Sequence, residues 1–420
     1  MLGCSIEKPS SYKETSESLD MEFMVVAGRT PEPTPTPTPD PQKEAEKEKG
    51  IELDPGWELA GDLQIGRWGH TTTVLQNDTV LVVGGRKRLS FRGTTVQEGE
   101  ILPLGSDEWI KTGTLNWERT FHTASLLLDG RVLVAGGTGR VVLAPGEETM
   151  WRGNKDLSSA EIYDPKADEW VSSPDMIEKR QLAQAITLED GRVMIIGGRS
   201  GLLTLATSEV YDPVTNNWNL LSPMLVSRKS HSAITLLDNR ILVTGGTEEW
   251  AGGNLASAEI YDPLKDTWVM VSDMNRSRLG HKSTLLPDGR VLVTGGTIVG
   301  EEEFLGPETT AEIYDPFIDK WTLITTDLKP RKDHASVALP GGKVLLIGGG
   351  NSIGTPVMEL ELYNPYTNEW SVAGSLPEGR NLLTATILPD GSILIVGGGA
   401  AIGYIADFPN HTLRFRMLNH

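Results

Sequence analysis

The sequence is poor in cysteine and basic charge, and no long apolar run interrupts it. A single cysteine, Cys4, in 420 residues excludes an internal disulfide, so the fold does not depend on redox state. With 38 Lys and Arg against 57 Asp and Glu, the formal charge is −19. That balance argues against nucleic acid, whose binding relies on basic side chains neutralising phosphates. It argues equally against adhesion to anionic lipid through a basic surface. No apolar stretch approaches the about 20 residues that span a bilayer. FMVVA at 23–27 is too short even for a signal-peptide core. What is abundant is glycine, 46 residues, a composition of turns and strands.

The first five residues, MLGCS, resemble the lipobox of bacterial lipoproteins, in which the cysteine is lipidated after cleavage. The apolar segment that precedes a lipobox is missing from the sequence. Residues 5–50 are polar and include TPEPTPTPTPDP at 30–41, followed by QKEAEKEKG. Alternating proline imposes an extended, solvated chain that packs no core. Residues 1–56 are therefore expected to be a disordered Pro/Thr-rich tether with Cys4 as the lipidation candidate, and residues 57–420 the globular domain. The order fits an extracytoplasmic, membrane-anchored protein whose only membrane contact is a lipid on Cys4. A cytoplasmic protein is the alternative.

The phrase SAEIYDPLKDTWV at 257–269 recurs as SAEIYDPKADEW, SEVYDPVTNNW, AEIYDPFIDKW and LELYNPYTNEW. Aligned on Trp57, Trp109, Trp170, Trp218, Trp268, Trp321 and Trp370, the next Gly-Gly pair begins 27 residues later in all seven copies. From Gly-Gly to the following Trp the length varies freely. Each copy reads as four strands: one opened by Trp, one opened by an Arg at Trp+10, an Asp-Gly hairpin into an apolar run such as RVLVTGG, then AEIYDP. Glycine-rich strings at 348–354 and 397–403 are this diglycine with one more Gly. A dinucleotide fingerprint would need a helix after it, and a strand follows instead.

Four-stranded units of about 50 residues with Gly-Gly, Tyr and Trp in register resemble the kelch repeat. The resemblance covers residues 57–420 and implies an all-β, seven-bladed β-propeller. The chain starts with a Trp57 strand that has no blade before it. It ends with TLRFRML at 412–418, where other copies carry AEIYDP. An outer strand from the N-terminus is therefore expected to close the ring.

The Asp-Gly and YDP turns emerge on one face, while the outer-to-inner links and post-diglycine loops emerge on the other. The second set varies more, so a ligand site is expected there. Four tryptophans lie outside the repeat register, Trp68, Trp117, Trp151 and Trp250, and all map to this variable face. With Arg152 they suit a sugar ring or a protein partner; burial under their own loops is the competing reading. Arg67, Arg119, Arg180, Arg228, Arg278, Arg331 and Arg380 stand at Trp+10 on its rim. Either they bridge blades, as a residue shared by every copy suggests, or they hold an acidic ligand, as kelch arginines on this face do. Three residues further stand His70, His122, His231, His281 and His334, replaced by Ala183 and Leu383 in two copies. That substitution suits packing better than ligation, so no metal is expected.

The resemblance allows two classes of function. One is a non-catalytic module binding protein or glycan, monomeric, without cofactor and displayed on a cell surface. The other is a kelch-type carbohydrate-active enzyme such as a sugar epimerase or mutarotase. Galactose-oxidase-like copper chemistry needs a cysteine cross-linked to tyrosine, and residues 57–420 contain no cysteine. No acid–base pair departs from the repeat pattern clearly enough to assign a catalytic residue, so binding is the expected role.

Overall fold

In the computed structural model the described residues are 53–87, 95–141, 155–248, 253–299, 304–307, 309–324, 326–351, 355–399 and 408–417. All lie in one compact unit, Glu52–His420. Most of the tether, Cys4 included, is outside them.

Among the described residues there is no helix, and there are seven four-stranded antiparallel sheets. The fourth shows the pattern: Ser232–Thr235, Ile241–Thr244, Ala258–Asp262 and Thr267–Val271, hydrogen-bonded in chain order. The first strands of the sheets are Thr71–Val74, Thr123–Leu126, Gln184–Thr187, Ser232–Thr235, Lys282–Leu285, Ala335–Ala338 and Thr384–Ile387. They neighbour one another in a cycle that runs from the last back to the first. The last sheet takes its outer strand from the other end of the chain, Trp57–Asp62 pairing with His411–Phe415.

Why these segments become blades follows from burial. The second strand of each sheet is buried at every position and almost wholly apolar, as in Ile241–Thr244 and Val291–Thr294. Its side chains face the sheets on either side, so the core is a set of interfaces between neighbours. One such cluster joins Leu242, Ile260 and Met274 to Val293, Tyr314 and Trp321 of the next sheet. The register tryptophans fill these interfaces and tie them. Indole N–H groups of Trp218, Trp268 and Trp321 donate to carbonyls of Pro174, Ser222 and Ser272 one sheet back, at 2.7–2.8 Å. A large ring thereby loses its polar N–H penalty while burying its apolar area.

The inner strands start later than the sequence suggests. The expectation put the strand at the Trp+10 arginine, whereas Thr71 follows Arg67 by four residues. The reason is a backbone turn at Arg+2, where φ is positive: Gly69, Phe121, Leu182, Ser230, Gly280, Asp333 and Leu382 all sit between +53° and +68°. Backbone hydrogen bonds string these residues together from blade to blade. The N–H of Phe121 donates to Gly69 O, Leu182 to Phe121 O, Ser230 to Leu182 O, Gly280 to Ser230 O, Asp333 to Gly280 O and Leu382 to Asp333 O, at 3.0–3.2 Å.

Candidate functional site

The seven arginines are buried, and their groups are taken up within the blades. In each, Nη1 donates to the carbonyl of the first diglycine residue 17 positions ahead, as Arg228 does to Gly245 O at 2.8 Å. Nη1 or Nη2 also reaches a carbonyl at the start of the third strand, Ser257 O for Arg228 at 3.0 Å. The guanidinium then pairs with a buried glutamate of the AEIYDP segment. The pairs are Arg67–Glu100, Arg119–Glu161, Arg180–Glu209, Arg228–Glu259, Arg278–Glu312 and Arg331–Glu361. In the last sheet Leu413 occupies the glutamate position, and Arg380 pairs with Glu378 at 2.6 Å. The arginine side chains are structural, but they fasten strands within one blade and do not bridge blades as the sequence reading expected. A guanidinium without solvent contact, its Nη groups taken by carbonyls and a carboxylate, presents nothing to an acidic ligand.

The glutamates are the residues that sequence reasoning passed over. Each carboxylate also accepts backbone N–H groups from the link that carries its arginine, as Glu259 does from Leu225 and Val226 at 2.6 and 3.1 Å. Their signal was recurrence in six copies, present in the quoted phrase but separated from the arginine by about 30 residues.

The histidines pack too. A Cβ on Gly245 would lie 2.7 Å from His281 Cε1 and 2.5 Å from Arg278 O, both of the next sheet. In the copies without histidine, Leu383 meets Gly348 in the same way. Desolvation holds His70 and His281 down at about 3, with Arg67 and Arg278 adding repulsion, and pushes His122, His231 and His334 well below the ordinary value. Neutral and enclosed, they are scaffold. Among the described residues no group of three His, Cys, Asp or Glu is placed to hold a metal ion.

The off-register tryptophans divide. Trp68 is only 7% exposed, with its ring 5.4 Å from Phe121 and 6.0 Å from Phe408, and Arg86 lies over it at 5.8 Å. This one is packing, as the competing reading had it. Trp117 is half-buried on a short strand, Trp117–Thr120, which pairs with Thr138–Val141 and extends the variable face. Trp151, Arg152 and Trp250 lie outside the described residues.

The opposite face is less uniform than its repetition suggests. A cavity of about 350 Å³ opens there between Leu188, Asp190, Arg192, Asp238, Arg240 and Leu264. The residue after Pro in the YDP turn varies and is largely apolar. Leu264, Phe317 and Tyr366 stand 96%, 75% and 71% exposed.

Seven four-stranded sheets, linked at inner strands around an axis, are the architecture of a β-propeller. Four stretches of the chain match the Kelch motif, residues 119–177, 190–225, 228–275 and 331–377. Kelch-like protein 15 of Homo sapiens is 26% identical over 153 residues, 34% of this chain and 24% of that protein. Kelch repeat-containing protein kel-10 of Caenorhabditis elegans is 28% identical over 127 residues, 30% of this chain and 19% of that one. The chain thus spans about a quarter or less of these relatives. A fungal alcohol oxidase of the AA5 family, solved in complex with copper, superposes with a TM-score of 0.65. The match covers 86% of this chain and 76% of that one at 18% identity, which speaks to fold alone. The donor set here does not fit copper chemistry of that kind. The one cysteine is Cys4, before the propeller, and the histidines nearest the axis are turned into blade interfaces.

Proposed function

We propose that this protein is a non-catalytic binding module that holds a protein or glycan ligand on the variable face of its propeller. One observation carries the reading. The shared arginines and glutamates are used up within blades, and the histidines and tryptophans between them, so specificity falls to residues that depart from the repeat. Those residues lie in the links and post-diglycine loops, with Trp117, Trp151, Arg152 and Trp250 among them. The Kelch motif supports protein binding in general. MLGCS and the Pro/Thr-rich segment support surface display, with lipid on Cys4 and the extended segment as spacer.

The test is binding of the full chain to glycan and peptide arrays, alongside Trp151→Ala and Trp250→Ala. Loss of array binding in either variant at unchanged thermal midpoint supports the loop face. Array binding that survives both, yet falls in Leu264→Ser or Phe317→Ser, would move the interface to the opposite face. For display, acylation of Cys4 is read by mass spectrometry of the protein from its native host. Unmodified Cys4 in the mature chain would remove the anchor.

A further inference from the structure

Apolar side chains recur at one exposed point of the face opposite the variable loops. In the turns from third to fourth strand, the residue after Pro is Leu104, Lys166, Val214, Leu264, Phe317 and Tyr366 in successive sheets. All but Lys166 are apolar or aromatic, and all are exposed, Val214 by 90%. Turn tips ordinarily carry Gly, Asn, Asp or Ser.

Scattered apolar residues mean little, but these gather. A Cβ on Gly289, in the hairpin of the fifth sheet, would lie 2.8 Å from Leu237 Cδ1 and 3.4 Å from Phe317 Cε2. On Gly342, in the next hairpin, it would press on Pro287 Cγ and lie 3.0 Å from Tyr366 Oη. Leu237 and Pro287 are themselves exposed. Tips and hairpins of neighbouring sheets thus join into an apolar arc.

The polar atoms of this arc are already met. Each tip N–H donates to the Asp or Asn two residues back, Val214 to Asp212, Leu264 to Asp262, Phe317 to Asp315 and Tyr366 to Asn364, at 2.8–3.1 Å. The residue before each tip is proline, which has no N–H. The hairpin arginines are spent on neighbouring aspartates, Asp190–Arg192, Asp238–Arg240 and Asp288–Arg290 closing at 2.7 Å. The tips can therefore leave water without stranding a donor.

The described chain enters on this same face. Trp57 stands opposite Phe415 at the hairpin end of the last sheet. Pro55 lines a cavity of about 300 Å³ with Met417 and Lys343, the residue after the Gly341-Gly342 hairpin. Residues 1–52, Cys4 among them, are joined to the propeller there, so an anchor on Cys4 pulls from the tip face. Separate convex tips suit the flat, fluid interface of a bilayer, whereas a folded partner would need a pocket for each. Leu, Phe and Tyr are residues that settle at that interface. The formal charge of −19 opposes anionic lipid.

We propose that the tip face is a second membrane contact, in which Val214, Leu264, Phe317 and Tyr366 dip into the headgroup layer of a zwitterionic bilayer and turn the variable face outward. The choice of a bilayer as occupant rests on the surface-display reading of Cys4 and the segment after it.

The test is co-flotation of the full, unlipidated chain with phosphatidylcholine vesicles, with and without phosphatidylserine, at low and high salt. Leu264→Ser combined with Phe317→Ser removes two tips that lie outside the core. Leu202→Ser removes an exposed leucine from a post-diglycine hairpin on the variable face. Flotation that resists salt and gains nothing from phosphatidylserine is expected. It should fall about tenfold or more in the double variant, at unchanged thermal midpoint, and persist in Leu202→Ser. No flotation overturns the contact, as does binding that needs phosphatidylserine and low salt, or an equal loss in Leu202→Ser. A parent dimer that the double variant dissolves without vesicles would give the face to a second copy. Peptide-array binding lost in the same variant would give it to a protein, and either result overturns the membrane contact. Acylated Cys4 without flotation sinks the contact and keeps the display reading. Tip-dependent flotation with unmodified Cys4 supports the contact and removes the anchor.

Discussion

Arg228 and Glu259 are 31 residues apart in sequence, and each is buried with the other as its ion-pair partner at 2.7 Å. Removing one partner strands the other, so Glu259→Ala is expected to cost about 3–5 kcal/mol in urea unfolding. Replacing both, as Arg228→Met with Glu259→Leu, should recover much of that loss, because apolar groups of similar volume need no pairing. A double variant no better than the single would assign the cost to lost carbonyl contacts instead. The histidines make a pH prediction. Each native imidazole binds its proton only far below 6.5, near 3 for His70 and His281. Between those values the unfolded chain takes up protons that the folded chain refuses, so stability falls as pH falls. The slope is at most about 1.4 kcal/mol per histidine per pH unit. Thermal midpoints measured from pH 7 to 4 should decline, and less steeply in His281→Leu, which installs the residue seen at position 383. Parallel curves for the two proteins would remove His281 from the account.

The constant 27 residues from Trp to Gly-Gly has a physical cause that the sequence displayed without explaining. Arg Nη1 clasps the first diglycine carbonyl 17 residues ahead in every sheet, and that length contains the inner strand and its hairpin. One inserted residue would pull donor from acceptor. The third strand is held by its own carbonyl and glutamate, wherever the loop before it ends, so loop length is free. Register, strand number and the identity of the scaffold residues were therefore legible, because repetition exposes whatever every copy needs. The arginine–glutamate pairing was not, since its partners stand 29 to 42 residues apart and meet only when the third strand folds beside the link. Trp68 misled for a related reason: absence from the register marks a residue as special to one blade, not as exposed. The diglycine itself is testable. Gly245 has φ of +58°, and an added Cβ would press into the next sheet at Arg278 O, so Gly245→Ala combines strain with overpacking. A loss of about 2–4 kcal/mol is expected by denaturant unfolding, against a smaller one at exposed Gly201, which shares the positive φ (+62°) but has nothing within 4 Å of the added Cβ.

One backbone hydrogen bond recurs between all consecutive sheets: the second diglycine N–H donates to the arginine carbonyl of the next, Gly85 to Arg119 through Gly349 to Arg380. The bond from Gly398 to Arg67, at 2.9 Å, joins the last sheet to the first. The same junction has Trp109 Nε1 donating to Ala60 O at 3.2 Å, and within the last sheet Trp57 packs on Phe415, ring centroids 4.7 Å apart. The strand Trp57–Asp62 covers the only side of the His411–Phe415 strand that its own sheet leaves open. Deleting residues 1–52 should then leave the thermal midpoint nearly unchanged. Deleting residues 1–62 exposes a strand edge and empties an aromatic contact, and should lower the midpoint and promote association on size exclusion. The two segments are needed as neighbours, and their order along the chain is immaterial. A circular permutant that joins residue 420 to residue 53 through a short flexible linker and opens at the exposed Gly201–Leu202 turn is expected to fold with the parent's midpoint, because it makes the closing pair local in sequence and cuts only a surface turn. A permutant that fails to fold while the 1–52 deletion succeeds would show that the ring depends on the order of blade formation, and not on closure alone.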